Sequence, residues 1–153
     1  MKSSWLPYIF MMALLLCQVL AMPSDMVTAG GCYGCPNCPK EKVEVNILKH
    51  FCNVPGWGST KHLAVNETLQ YLSERPGQLV MGGGHGVCKQ ISCSWDTAVW
   101  ACNNTPDSHT VSWCEVVEML RNLQVLCDAG EVRTNGQVFS TDNWHLILRD
   151  GRC

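Results

Sequence analysis

Ten cysteines behind a hydrophobic leader constrain this chain more than any other feature. The sequence holds 11 cysteines in 153 residues, and one of them, Cys17, lies in the apolar run from Ile9 that follows Lys2. A basic start, an apolar middle and small residues before a break mark a secretory signal. Val19 and Ala21 suit the small-residue positions before a cut, so cleavage is expected after Ala21, with Ala29 a weaker site. The run of roughly 12–15 residues is short of the ~20 that a bilayer-spanning helix needs. The mature chain, Met22 to Cys153, would then have 132 residues (153 less 21) and ten cysteines (11 less one). Its sulfurs enter an oxidising compartment, and the expected localisation is extracellular.

The disulfide candidates are Cys32, Cys35, Cys38, Cys52, Cys88, Cys93, Cys102, Cys114, Cys127 and Cys153. Ten is even, so five bridges can use every sulfur, and spacing leaves the connectivity open. About 8% cysteine in 132 residues reads as a disulfide scaffold. The length is nevertheless enough for one domain with a real core, so the bridges add to packing rather than replace it. Without Lys2 the chain has ten basic residues against 13 acidic, a net charge of about −3 (10 − 13). No Lys/Arg cluster gives a nucleic-acid footprint. Neither nucleic acid nor a membrane span is expected.

Three segments follow: a signal peptide over 1–21, a Cys/Pro/Gly-rich irregular arm over 22–40, and a single domain over 41–153. Val43, Val45 and Ile47 alternate with polar residues as in a half-buried strand, with a helix to Phe51 as the alternative. Asn66 to Arg75 reads as a short helix stopped by Pro76-Gly77. Strands are expected at Val87–Cys93, with Val87, Ile91, Cys93 and Trp95 on one face, and at Ala98–Cys102. The strongest helix begins at Ser112, whose pattern with Glu115 is a capping box, with Val111 and Val116 as the hydrophobic staple. Trp113, Val116, Val117, Leu120, Leu123 and Cys127 form its apolar stripe, and Gly130 fits its C-terminus. Val132 to Phe139 reads as a hairpin turning at Asn135-Gly136, and Trp144, Leu146 and Leu148 mark a last strand. The fold class expected is α+β: a disulfide-braced small sandwich, one main helix packed on an antiparallel sheet.

Cys32-x-x-Cys35-x-x-Cys38 has spacing that can clasp a soft metal or form a redox pair. With no histidine near it in sequence and prolines around it, three bridges from the arm to the body are expected instead, with no metal and no cofactor. Cys93 and Cys102 are plausible partners for the helix cysteines Cys114 and Cys127, and Cys153 ties down the C-terminus. Two sequons, Asn66-Glu67-Thr68 and Asn103-Asn104-Thr105, are candidate glycan sites. Among the histidines, His85 in Gly82-Gly83-Gly84-His85-Gly86 and His109 are the candidates for a small hydrolase, although a Gly-rich loop is more often a flexible connector. Trp57, in a turn-rich loop, is the candidate aromatic for a carbohydrate-binding module. Trp95, Trp100, Trp113 and Trp144 lie in expected elements and are read as buried.

The stretch Cys88 to Asn103, with Cys93-Ser94-Trp95-Asp96 at its centre, resembles a recurrent segment of small secreted cysteine-rich proteins of filamentous fungi. So do Gly136-Gln137-Val138-Phe139 to Asn143 and Leu146-Ile147-Leu148-Arg149-Asp150. The resemblance covers roughly residues 85–153. The layout is also similar in architecture to Ecp-type necrosis-inducing effectors and KP-type killer toxins. The resemblance implies a disulfide-braced α/β sandwich, no catalytic residue, and action on a host plant or on competing microbes. The function expected is therefore a non-enzymatic secreted effector or toxin-like protein, probing a host protein, a glycan or a microbial surface as a monomer. The alternatives are the carbohydrate-binding module and the small hydrolase.

Overall fold

The computed structural model describes residues 43–127 and 135–153. The expected leader, the arm with Cys32, Cys35 and Cys38, the expected helix stop at Gly130 and the strand expected at 132–134 lie outside the described residues. Among the described residues seven strands and two helices follow in the order β1 (Ile47–Cys52), α1 (His62–Ser73), β2 (Gln78–Met81), β3 (Val87–Ser94), β4 (Thr97–Asn103), β5 (His109–Ser112), α2 (Trp113–Cys127), β6 (Gly136–Ser140) and β7 (Trp144–Asp150). Five strands make one antiparallel sheet in the order β1-β6-β7-β4-β3, and β2 pairs with β5 in a second, two-stranded sheet. This is the expected α+β arrangement, with the main helix packed on the sheet.

The capping box forms as the sequence dictates. Ser112 N–H donates to the Glu115 carboxylate at 2.8 Å, and Glu115 N–H donates to Ser112 Oγ at 3.2 Å, so two otherwise orphaned donors are satisfied. From there α2 buries Trp113, Val116, Val117, Leu120, Leu123 and Cys127. They meet the inward residues of the sheet, Val99 and Ala101 on β4, Val138 on β6, and Trp144, Leu146 and Leu148 on β7. The period of 2 in the strands and about 3.6 in the helix thus put all these apolar groups in one core. α1 lies beside α2 and over β3, burying Ala64, Val65, Thr68 and Leu72. It ends before Pro76-Gly77, where Gly77 takes a φ of +76°.

Three disulfides between described residues brace this frame. Cys52–Cys127 ties β1 to the end of α2, Cys88–Cys102 joins β3 to β4, and Cys93–Cys153 fastens the C-terminus to β3. Cys114 is disulfide-bonded as well; with the other six body cysteines paired among themselves, at most one bridge can join the arm to the body, which corrects the expectation of three. Cys153 therefore does tie down the C-terminus. The pairing of the helix cysteines with Cys93 or Cys102 is corrected: Cys102 faces Cys88 directly across the β3–β4 ladder, and that neighbour is closer than the helix on the other side of the sheet.

Two other expectations are corrected. Gly136 does not turn a hairpin; it opens β6 and pairs with Cys52 on one side and Leu148 on the other. Asn135 is buried, and its side chain accepts a hydrogen bond from Val54 N–H and donates to the Gly58 carbonyl. An Asn-Gly pair is thus spent on anchoring the 53–58 loop. The segment to Phe51 is a strand as first expected and not the alternative helix, although it begins only at Ile47. The Gly-rich loop is also no loose connector. Gly84 N–H donates to the Thr105 carbonyl and Gly86 N–H to the Asn103 carbonyl, and a Cβ on Gly83 would lie 2.6 Å from the Pro106 carbonyl oxygen. Its glycines allow two backbones to lie against each other.

Candidate functional site

A bulge in β3 lies in one wall of an open surface groove among the described residues. The β3–β4 register shifts between Gln90 and Ser92, so Ile91 and Ser92 both turn toward α1 instead of alternating. Ile91 enters the core, and Ser92 Oγ lies 2.9 Å from Thr68 Oγ1 on the helix. Beside this contact runs an open groove of about 510 Å3, lined by Glu67, Thr68 and Tyr71 from α1 and by Gln90 to Ser94 from β3. Its size falls within the roughly 300–1,000 Å3 of small-ligand sites. β3 is an edge strand, so its outer rim borders the groove.

At the end of the groove the chain reverses through Trp95-Asp96. Ser94 pairs with Thr97, which leaves a two-residue hairpin loop, and both loop residues have positive φ, +48° and +58°. That is the I′ geometry that Asn-Gly favours. Aspartate tolerates the left-handed region, whereas an L-residue with a bulky side chain is disfavoured there by roughly 1–2 kcal/mol. Trp95 is nonetheless present and 60% exposed. Its indole N–H donates to Glu67 Oε2 at 3.0 Å, and Ser94 Oγ donates to the same oxygen at 2.8 Å. Among the described residues nothing donates to Glu67 Oε1. One helical turn on, Tyr71 is half exposed and is held by Arg75, whose guanidinium donates to the phenol oxygen at 2.6 Å and lies over the ring. Among the described residues Glu67 is the one charged side chain lining the groove.

The residues singled out from sequence fall elsewhere. Trp57 is half-buried, its carbonyl accepting from Asp150 N–H. Trp95 is exposed, which corrects its reading as a buried strand residue. Trp113 and Trp144 are buried as expected, and Trp100 is half-buried on the opposite face of the sheet from α2. His85 is exposed in its loop, and no described carboxylate bonds to it; His109 lies on β5, paired with Met81. The structure brings neither into the groove. Asn66 is exposed on α1. Asn103 is fully buried: its Nδ2 donates to the carbonyls of Gly82 and Asp107, and its Oδ1 accepts from both N–H and Oγ1 of Thr105. Cys93 lines the groove while bridged to Cys153.

On the sheet face away from α2, Lys49, Phe139 and His145 stack in a row. The Lys49 ammonium is 4.7 Å from the Phe139 centroid, and the Phe139 and His145 rings stack at 4.5 Å. His145 Nδ1 lies 3.1 Å from Asn104 Oδ1, an acceptor, so this nitrogen carries the hydrogen. Burial and then the nearby Lys49 charge hold the imidazole pKa below its ordinary value of 6.5. Cys88, Cys102 and His145 have potential ligand atoms within 4.8 Å of one another, but the two sulfurs are joined to each other, which removes the thiolates a metal would need.

Among the described residues no helix is long and apolar enough to cross a membrane. No protein-family model matches the chain, and neither does any curated protein.

Proposed function

We propose that this protein is a secreted, non-enzymatic effector or toxin-like protein that acts by surface binding on a host or a competing microbe, with the α1–β3 groove as its contact surface. The observation that carries the reading is Trp95. A bulky ring occupies a turn position that disfavours it, stands in solvent, and is oriented by a hydrogen bond to Glu67. Strain of this kind collects at functional positions, and a rigid exposed aromatic supplies contact area at little cost in side-chain entropy. The disulfides that fasten β3 to β4 and to the C-terminus hold the groove's strand wall in place. They are compatible with an oxidising destination, as is the leader at 1–21. The protein is proposed to act as a monomer and to carry its glycan at Asn66.

The test is to infiltrate purified, oxidised protein into plant tissue and to add it to cultures of rival microbes. Activity is expected from the native protein, and loss of it after reduction and alkylation or in Trp95→Asn. A native protein inert in both settings, or a fully active Trp95→Asn, contradicts the reading.

A further inference from the structure

We infer that the α1–β3 groove binds a neutral glycan, a short run of pyranose rings with equatorial substituents, and that Trp95 is the stacking platform. This rests on the proposed function and names the ligand of the same surface. Such sugars have two kinds of surface: flat patches of C–H groups on the ring faces and hydroxyls around the edge. The groove and the turn at its end offer a partner for each. The exposed Trp95 indole matches a C–H face, since the aromatic quadrupole is negative on its faces and attracts polarised C–H groups. Its N–H is committed to Glu67 Oε2 at 3.0 Å, so the ring is oriented before any ligand arrives, which limits the ordering cost of binding. Tyr71 is fixed in the same way by Arg75.

The hydroxyls meet planar and hydroxylic groups. Glu67 is held through one oxygen by two donors, which leaves Oε1 to accept from a sugar hydroxyl. Gln90 adds an amide with both donor and acceptor, and Ser92 and Ser94 add hydroxyls along the same wall. Charge selects among glycans. Among the described residues Glu67 is the one charged lining residue, so a uronate or sulfate sugar bound beside it would set like charges together. A neutral chain meets no such penalty.

Trp95→Asn separates this role from a structural one. Asparagine relieves the positive φ and removes the ring, so a residue kept for folding would lower the melting temperature when replaced. The inference expects the opposite: a melting temperature unchanged or higher, and binding weakened about tenfold or more. Calorimetric titration of the oxidised protein with the hexaoses of chitin, cellulose and β-1,3-glucan, and with oligogalacturonate, supplies the readout. At least one neutral hexaose should bind and oligogalacturonate should not. Trp95→Tyr should keep most of the affinity, and Glu67→Gln should narrow the gap between neutral and acidic chains.

The inference is overturned if no neutral hexaose binds at millimolar concentration, if Trp95→Asn binds as well as the native protein, or if the acidic chain binds equally. The tissue assay then separates the two ideas. Loss of biological activity in Trp95→Asn without any glycan binding overturns the glycan and leaves the groove as a surface for a protein partner. Survival of activity in Trp95→Asn with glycan binding lost overturns the proposed function and leaves the glycan site; survival of both overturns both.

Discussion

Exchanging Asn103 for aspartate changes one atom, yet it should cost more than removing the side chain to alanine. Asn103 is fully buried where β4 meets the Gly-rich loop, and its amide knits together Gly82, Thr105 and Asp107. In Asn103→Ala four hydrogen bonds go. At about 0.5–1.5 kcal/mol net for each, and with Gly82 and Asp107 close enough to solvent to be rehydrated, the loss is about 2–4 kcal/mol. In Asn103→Asp the Thr105 bonds survive, but an oxygen replaces the Nδ2 that donated to two carbonyls at 2.9 and 2.6 Å. A buried negative charge facing two carbonyl oxygens raises the cost to about 3–5 kcal/mol at neutral pH. At acid pH the carboxyl regains a proton and donates one bond again. Its pKa in the folded state is therefore raised, and the variant's stability is greatest below the unfolded value of about 3.9 and falls as pH rises through the folded one. Urea unfolding followed by circular dichroism, with the two variants compared from pH 4 to 8, measures this. Aspartate within about 1 kcal/mol of wild type at pH 7, or a gap to alanine that does not shrink toward pH 4, would refute the reasoning, since both contradict a two-carbonyl acceptor cage.

His145 sets a pH dependence of its own. Its folded pKa is lowered by burial and then by Lys49, so it contributes stability that is full above 6.5 and is lost as pH falls from 6.5 through the folded value. Lys49→Met should shrink that slope in unfolding measurements between pH 4 and 8; an unchanged slope would exclude the Lys49 contribution. Among the bridges, removing Cys52–Cys127 by paired alanines should cost about 4–5 kcal/mol by the loop-entropy estimate and removing Cys88–Cys102 about 3, because they close sequence separations of 75 and 14. The reverse order would point to native-state packing rather than loop entropy. Glycan mapping of the secreted protein by mass spectrometry should find occupancy at Asn66 and none at Asn103, whose amide nitrogen has both hydrogens committed inside the fold. An occupied Asn103 in soluble, folded protein would contradict that network.

Local signals were legible where local physics decides the outcome. Ser112 and Glu115 announce a helix because their two side chains satisfy neighbouring backbone donors without help from the rest of the fold. The alternation of Trp144, Leu146 and Leu148 is equally self-contained, and all three face α2. The candidate site was hidden by non-local choices. One extra residue at Ile91 shifts the β3 pattern by a half-period, so Trp95 reads as a strand residue when it is the first residue of a turn. The signal that could have found it is a tryptophan beside an aspartate between two alternating strands, a place where Asn-Gly is expected. Asn135-Gly136 misleads for the converse reason, since its side chain is recruited by Val54 and Gly58 from far away in sequence. Glu67 and Tyr71 carry no motif, and only the docking of α1 over β3 gives them a groove to line.

The central claim is that the groove between α1 and β3 is the working surface. Amide chemical-shift mapping of the oxidised, isotope-labelled protein during titration with neutral hexaoses tests it most directly. The account predicts perturbations concentrated at Glu67, Tyr71, Gln90 to Asp96 and the Trp95 indole N–H, with the sheet face bearing His145 unmoved. Saturable shifts centred on another surface, with the Trp95 indole signal stationary, would contradict it.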